Sequence, residues 1–254
     1  MKRVDFIGAP GVGKSTLLRS LITHNRSPGR WITQKEALYK ALNKSENVKK
    51  THKLLLFASK VFRLKQTQML HFVAERGNKK EFNNEVLNKA FFLVEAKVEN
   101  RFSDERYSPS SRFNSILSYY DKMRKLFLYD KTTSKSIVLC DESFSHHTRA
   151  TDIIELVKQQ GNAFCLVPDG VVHCTAPIEI VMERLKKRQN KNGAIERYAN
   201  MKNKELRNET KRTINYIEEK ATDIASLGVP VKTIDVSQSI DSSRKEAGMF
   251  INRI

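Results

Sequence analysis

The sequence predicts an α/β fold: a mainly parallel five-stranded sheet sandwiched by helices and interrupted by a helical insertion. Three observations carry that expectation. Short apolar runs bounded by turn residues alternate with stretches of helical period, as in a parallel sheet with crossover helices. A glycine-rich turn follows the first apolar run directly and leads into a helical pattern. One long internal stretch then carries helical periodicity with no strand signal inside it.

The first run, Val4 to Ile7, reads as a short buried strand that ends at Gly8. Gly8-Ala9-Pro10-Gly11-Val12-Gly13-Lys14-Ser15 then matches GxxxxGK[ST], and Thr16, Leu17 and Leu18 begin a helix. Strand, loop and helix in this register form a P-loop. Its glycines let successive backbone N–H groups turn inward on an anion, and the helix N-terminus adds the positive end of its dipole. Lys14 can then reach the β- and γ-phosphates and the Ser15 hydroxyl can ligate Mg²⁺. A nucleoside triphosphate, ATP with Mg²⁺, is therefore expected on Gly8, Ala9, Pro10, Gly11, Val12, Gly13, Lys14, Ser15 and Thr16.

A weaker strand signal lies around Trp31 to Thr33. From about 43 to 131 the strand rhythm stops and three helical stripes follow: Leu54, Leu55, Ala58, Val61 and Phe62; Leu87, Ala90, Phe91, Val94 and Val98; and Phe113, Ile116, Leu117, Tyr120 and Phe127. Ser108-Pro109-Ser110-Ser111 separates the last two. This stretch reads as an insertion or cap on the α/β core.

The third strand, Ile137 to Cys140, ends at Asp141-Glu142-Ser143. A triphosphate site of this kind needs a second metal contact at the end of a neighbouring strand, and Asp141 supplies it, with Asp235 as the rival. Asp141 is preferred because Glu142 adds a carboxylate able to act as base or to hold a metal-bound water. After a fourth strand, Val171 to Cys174, Pro177 marks a first helical turn, and a charged helix runs through Glu183, Arg184, Lys186, Lys187 and Arg188 into the polar Gln189 to Gly193. A helix from about Arg197 to Gly228, a strand from Val231 to Ile234 and a closing helix complete the chain.

A chain of 254 residues, 39% of them hydrophobic, is near the size at which one core stops growing, so 1–254 is expected to be a single domain. Met1, Lys2 and Arg3 lead straight into the first strand rather than into a secretion signal, and no apolar run is long enough to span a bilayer, so a soluble, cytoplasmic chain is expected. The three cysteines, Cys140, Cys165 and Cys174, show no CxxC pairing and lie in or beside apolar runs, where a reduced thiol packs as a small hydrophobe. His146 and His147 have no Cys or His at ligand spacing and read as a polar loop or helix start. The net charge of +18, from 46 Lys and Arg against 28 Asp and Glu, suits a polyanionic partner such as nucleic acid, an anionic membrane surface or a phosphorylated glycan, and suits equally a set of lysine-solvated helices.

In the order of these features the chain resembles the P-loop kinases, and among them the thymidylate-kinase-like nucleoside and nucleotide kinases. The features are the Gly8 to Ser15 loop, the Asp141-Glu142 strand end, Pro168-Asp169-Gly170-Val171-Val172-His173-Cys174 followed by Pro177 to Arg188, and the closing strand and helix after Pro230. The resemblance spans about 1–30 and 135–254. It implies a lid at about 184–200 whose arginines reach the transferred phosphoryl group, here Arg184, Arg188 or Arg197, with Arg188 ranked first. The family pattern has Asp-Arg or Glu-Arg where this chain has Asp141-Glu142. A substrate-binding element of that family corresponds to Ala74-Glu75-Arg76 or to Leu56-Phe57-Ala58-Ser59.

Neither Asn43-Lys44-Ser45-Glu46 nor Asn190-Lys191-Asn192-Gly193 supplies the Asn-Lys-x-Asp of a GTPase, and the Leu-Ser-Gly-Gly-Gln of transporter ATPases is absent. The leading expectation is a Mg²⁺-ATP-dependent kinase. In it Lys14 and Ser15 hold donor and metal, Asp141 positions Mg²⁺, Glu142 takes the acceptor proton and Arg188 stabilises the transferring group. The acceptor is expected to be a small or anionic hydroxyl or phosphate compound (a nucleoside, nucleotide or sugar), or a polyanion, with Arg76, Arg101, Arg106 and Arg112 as candidate contacts. The alternative is an ATPase switch that binds nucleic acid or a protein and transfers phosphoryl to water only.

Overall fold

The computed structural model describes residues 1–24, 30–45, 48–61, 69–70, 72–73, 79–102, 107–130, 135–189, 198 and 200–254, with backbone alone at 59–61, 79–87 and 101–102. In β1 (Lys2–Ile7) every residue from Arg3 to Ile7 is buried. A strand closed to water on both faces must lie inside a sheet that is covered twice. β1 accordingly sits in the middle. β3 (Ile137–Asp141) pairs with it in parallel on one side, Phe6 opposite Asp141, and β4 (Gly170–Thr175) on the other, Ile7 opposite His173. The edges are β2 (Trp31–Thr33), beside β3, and β5 (Val231–Asp235), beside β4, so the five-stranded sheet is all-parallel in the order β2-β3-β1-β4-β5.

The period of two along each strand sorts its side chains into two cores. Val4 and Phe6, Ile137 and Leu139, Val172 and Cys174 meet α1 (Lys14–Thr23) together with α8 (Ile178–Gln189) and α10 (Ile240–Ile251) on one face. Ile7, Val138, Cys140 and Val171 meet α2 (Gln34–Lys44), α5 (Pro109–Asp130) and α7 (Ala150–Gln160) on the other. The long α9 (Asn203–Ser226) serves both, through Leu206 on the first and Ile217 and Ile224 on the second. Each such fully buried side chain is worth about 1.5–3 kcal/mol.

Topology places a crevice at one point of the sheet. From β1 the chain moves to the edge strand β2, whereas from β3 it moves to β4 on the opposite side of β1. Adjacent parallel strands whose chains depart in opposite directions leave an opening at their carboxyl ends. The turn after β1, Gly8 to Gly13, and the turn after β3, from Asp141, border that opening.

All five expected strand segments are present, each lengthened by a residue or two except the Trp31–Thr33 edge. Helix α2 lies ahead of the expected insertion. Its signal is Thr33-x-x-Glu36, a capping box in which Thr33 Oγ1 accepts from the Glu36 N–H at 3.2 Å and Glu36 accepts from the Thr33 N–H at 2.8 Å. Among the described residues no strand lies between β2 and β3; α3 (Lys50–Val61), α4 (Lys79–Phe102) and α5 run there, and α4 is kinked at Ala90. Their stripes differ from expectation. Leu54, Phe113 and Leu117 stand 68%, 56% and 50% exposed, while Leu56, Leu93, Tyr119 and Met123 form the buried faces. Apolar residues circle these helices, as in Leu54-Leu55-Leu56-Phe57, so periodicity alone does not choose a face; the neighbours do. α9 starts at Asn203, later than the expected position near Arg197. The cysteines are free, Cys140 and Cys174 buried and Cys165 partly so. Among the described residues no helix is long and apolar enough to cross a membrane.

Candidate functional site

The loop between β1 and α1 is shaped by its glycines. Gly11 and Gly13 have φ of 85° and 123°, the left-handed region that other residues avoid. A Cβ on Gly8 would stand 2.6 Å from the Cys174 carbonyl oxygen, so only glycine lets the loop lie against β4. No side chain caps the N-terminus of α1 and no acid sits in its first turn, which leaves its leading N–H groups open. An open helix start behind a glycine turn has the geometry and the dipole that suit an anion.

Lys14 is buried, and its Nζ donates to the Gly8 carbonyl at 2.8 Å. Burial pushes its pKa down, and the nearby Glu142 and Asp141 oppose that shift while Arg188 adds to it. Ser15, beside it on the first turn of α1, donates to Asp141 Oδ2 at 2.5 Å. The other oxygen, Asp141 Oδ1, is buried with no hydrogen-bond partner among the described residues. A hydroxyl and a carboxylate with an uncommitted oxygen make a hard-oxygen pair suited to Mg²⁺, which keeps waters and phosphate oxygens for its other positions. Among the described residues no group of three Asp, Glu, His or Cys could hold a metal by itself. The pair therefore fits Mg²⁺ that arrives with a phosphate ligand.

Glu142 is the one non-glycine residue at positive φ, 48°, among the described residues. That conformation costs about 1–2 kcal/mol, and such strain persists where surrounding contacts over-determine it. The contacts are visible on the segment that follows. Ser145 Oγ donates to the buried Asp5 carboxylate at 2.6 Å, Lys220 Nζ donates to the His146 carbonyl at 3.0 Å, and Lys97 Nζ donates to the His147 carbonyl at 2.9 Å. α6 (Phe144–His147) is thereby held by β1, α9 and α4. Lys122 of α5 also lies near Glu142, whose charge opposes the downward push of burial on the lysine.

A cleft of about 780 Å³ opens beside the loop, lined by Pro10, Glu142 and Arg188 and also by Lys97, Arg149 and Arg212. His146 also lines it. Burial and then the positive charge of Lys14 hold its pKa well below the ordinary value, so the ring is neutral, and its Nδ1 is buried without a hydrogen-bond partner among the described residues.

No protein-family model matches this chain, and no curated protein matches it.

Of the residues singled out from sequence, Lys14, Ser15, Asp141, Glu142 and Arg188 converge on one end of the crevice. Asp235, the rival to Asp141, caps its own turn instead, accepting from the Ser237 N–H at 2.8 Å and the Ser237 hydroxyl at 2.6 Å, which lowers its pKa. Arg184 donates to the Val12 carbonyl and, at 3.5 Å, to the Gly11 carbonyl. A loop whose N–H groups turn inward presents carbonyls outward, and Arg184 is committed to those rather than to a transferred group. Arg197 and most of the expected lid beyond Gln189 lie outside the described residues, as do Ala74-Glu75-Arg76 and Arg106; the Arg101 side chain is likewise not described. Arg112 does not line the cleft. His146, Lys97, Lys122, Arg149 and Arg212 went unforeseen at this site, because they come from separate elements and carry no shared spacing.

Proposed function

We propose that this protein is a P-loop phosphotransferase, a Mg²⁺-ATP-dependent kinase that moves the γ-phosphoryl group to a small or anionic acceptor held in the cleft. The observation that supports this most is the bond from Ser15, on the first turn of α1 beside Lys14, to Asp141 at the end of the adjacent parallel strand. Fold and site together match the demands of phosphoryl transfer, which are positioning and charge neutralisation.

In this reading the N–H groups of the glycine loop and the dipole of α1 receive the triphosphate, and Lys14 exchanges the Gly8 carbonyl for phosphate oxygens. Ser15 and Asp141 would hold Mg²⁺, which when bound neutralises charge on the β- and γ-phosphates. An acceptor oxygen in the cleft attacks the γ-phosphorus as Glu142 takes its proton. The bond from that phosphorus to the β,γ-bridging oxygen breaks, and its electron pair leaves with ADP. Arg188 offsets the charge on the group in transfer. Arg184 and the strain-holding contacts of α6 keep the loop and Glu142 in place.

The test is transfer from γ-labelled ATP with Mg²⁺ to pools of nucleosides, nucleotides, sugars and oligonucleotides, with products separated from free phosphate. A labelled acceptor is the expected result. Label in free phosphate alone, increased by an added polyanion, would replace the kinase by an ATPase switch in which Glu142 activates water.

A further inference from the structure

The cleft has two chemically different ends. After burial, the groups acting on Lys14 are Glu142, Asp141, Cys174 and Arg188. Arg149 and Asp152 act instead on Tyr119 and Tyr216, and Lys97 and Asp152 act on Lys220. Pro10 and Glu142 line the cleft from the turns after β1 and β3, and Lys97, Arg149 and Arg212 line it from α4, the start of α7 and α9, with His146 within the influence of both Lys14 and Lys220. Four cations, Lys97, Arg149, Arg188 and Arg212, face the cleft against two carboxylates, Glu142 and Asp152.

The far end is built rather than incidental. Asp152 takes Arg149 in a fork, Nε at 3.0 Å and Nη2 at 2.7 Å, and Asn100 accepts from Arg149 Nη1 at 3.3 Å. These bonds fix the guanidinium across the gap between α7 and α4. Arg212, on α9, holds no ion pair among the described residues and borders the same cleft. Lys220 lies about two turns further along α9, buried, with its Nζ 4.8 Å from the centre of the Tyr216 ring. Positive charge that the two carboxylates only partly balance attracts an anion; Arg149, its fork taken by Asp152, contributes charge, and Arg212 can offer its planar donors to two phosphate oxygens.

We infer that the cleft binds an acceptor that already carries a phosphomonoester: Arg149 and Arg212 hold that phosphate at the far end, and a hydroxyl elsewhere on the molecule faces Glu142. This rests on the kinase reading above for the hydroxyl, but the phosphate site stands on the cleft alone. The product of transfer is then a compound with two phosphates, one at each end of the cleft. About 780 Å³ accommodates a sugar phosphate or a compound of similar size.

The experiment compares binding of ribose 5-phosphate and ribose to the full chain by calorimetry or NMR titration, with and without saturating Mg²⁺-ADP, in the wild type and in Arg212→Gln. The exposed position of Arg212 on α9 lets that variant fold. The expected result is at least a tenfold preference for ribose 5-phosphate that survives Mg²⁺-ADP and falls to about twofold or less in Arg212→Gln. Equal binding of the two sugars, a preference that persists in Arg212→Gln, or one that Mg²⁺-ADP abolishes would each overturn the assignment, the last because the phosphate would then sit in the glycine loop. Failure of Mg²⁺-ADP itself to bind would count against the kinase reading alone, and the Arg212 comparison would still decide the phosphate site.

Discussion

The two walls of the cleft are made in opposite ways. The glycine-loop wall is backbone: N–H groups, a helix start and glycines at positive φ, all from one continuous stretch, with Lys14 and Ser15 as its side chains. The helical wall is side chain: Lys97, Arg149 and Arg212 come from α4, the start of α7 and α9. A backbone site tolerates little change in shape, whereas a side-chain site tolerates reshaping and can change what it binds. In the proposed kinase, the parts that every phosphoryl donor needs would sit on the rigid wall, and the parts that choose an acceptor on the variable one.

The sharpest way to break this contrast is Lys14→Ala. Transfer from labelled ATP should fall by about 10²–10³ with little change in melting temperature, and near-normal turnover would remove the loop from the chemistry. Next in size is Gly8→Ala, which puts a Cβ 2.6 Å from the Cys174 carbonyl oxygen. It should cost about 1–3 kcal/mol in denaturant unfolding; an unchanged midpoint would mean that the loop does not lie against β4 as described.

A third test addresses the helical wall. Lys220 is buried, and burial first, then Lys97, push its pKa down to about 7. Between that value and the ordinary lysine value the unfolded chain carries a proton that the folded chain lacks. Stability should therefore rise with pH across that window, by at most about 1.4 kcal/mol per pH unit, and this lysine adds no slope below it. Lys220→Met should flatten the rise in unfolding curves measured from about pH 6.5 to 9.5, and an unaltered slope would show that the buried lysine titrates as an exposed one does. The smallest expected effect belongs to Leu54→Ser. Leu54 is 68% exposed, so the change should stay within about 0.5 kcal/mol, and a loss of 2 kcal/mol or more would reveal a buried face on α3 that the fold does not show.

Much of the rigid wall was legible in the sequence, and little of the other. Strand segments were readable because apolar runs such as Val4 to Ile7 and Ile137 to Cys140 are short, buried on both faces and bounded by turns. Thr33 and Glu36 marked the start of α2, although apolar period alone passed it over. The stripes of α3 to α5 misled because apolar residues such as Leu54 and Leu56 occur all round those helices. Arg184 and Arg188 looked alike as basic residues one turn apart, yet one braces the loop and the other faces the cleft.

What the sequence by itself determined is the local and contiguous part: a mainly parallel α/β arrangement implied by alternating elements, and a loop whose residues, Gly8 through Ser15, lie next to each other in the chain. Tertiary structure alone decided that the Ser15 hydroxyl reaches Asp141, the acid preferred over Asp235 from sequence, because β3 borders β1 and β5 does not. It also decided that Lys97, Arg149 and Arg212 share one cleft with Glu142. Backbone sites are encoded by neighbours along the chain, but a cluster of side chains from separate helices exists only once packing has set the distances between them.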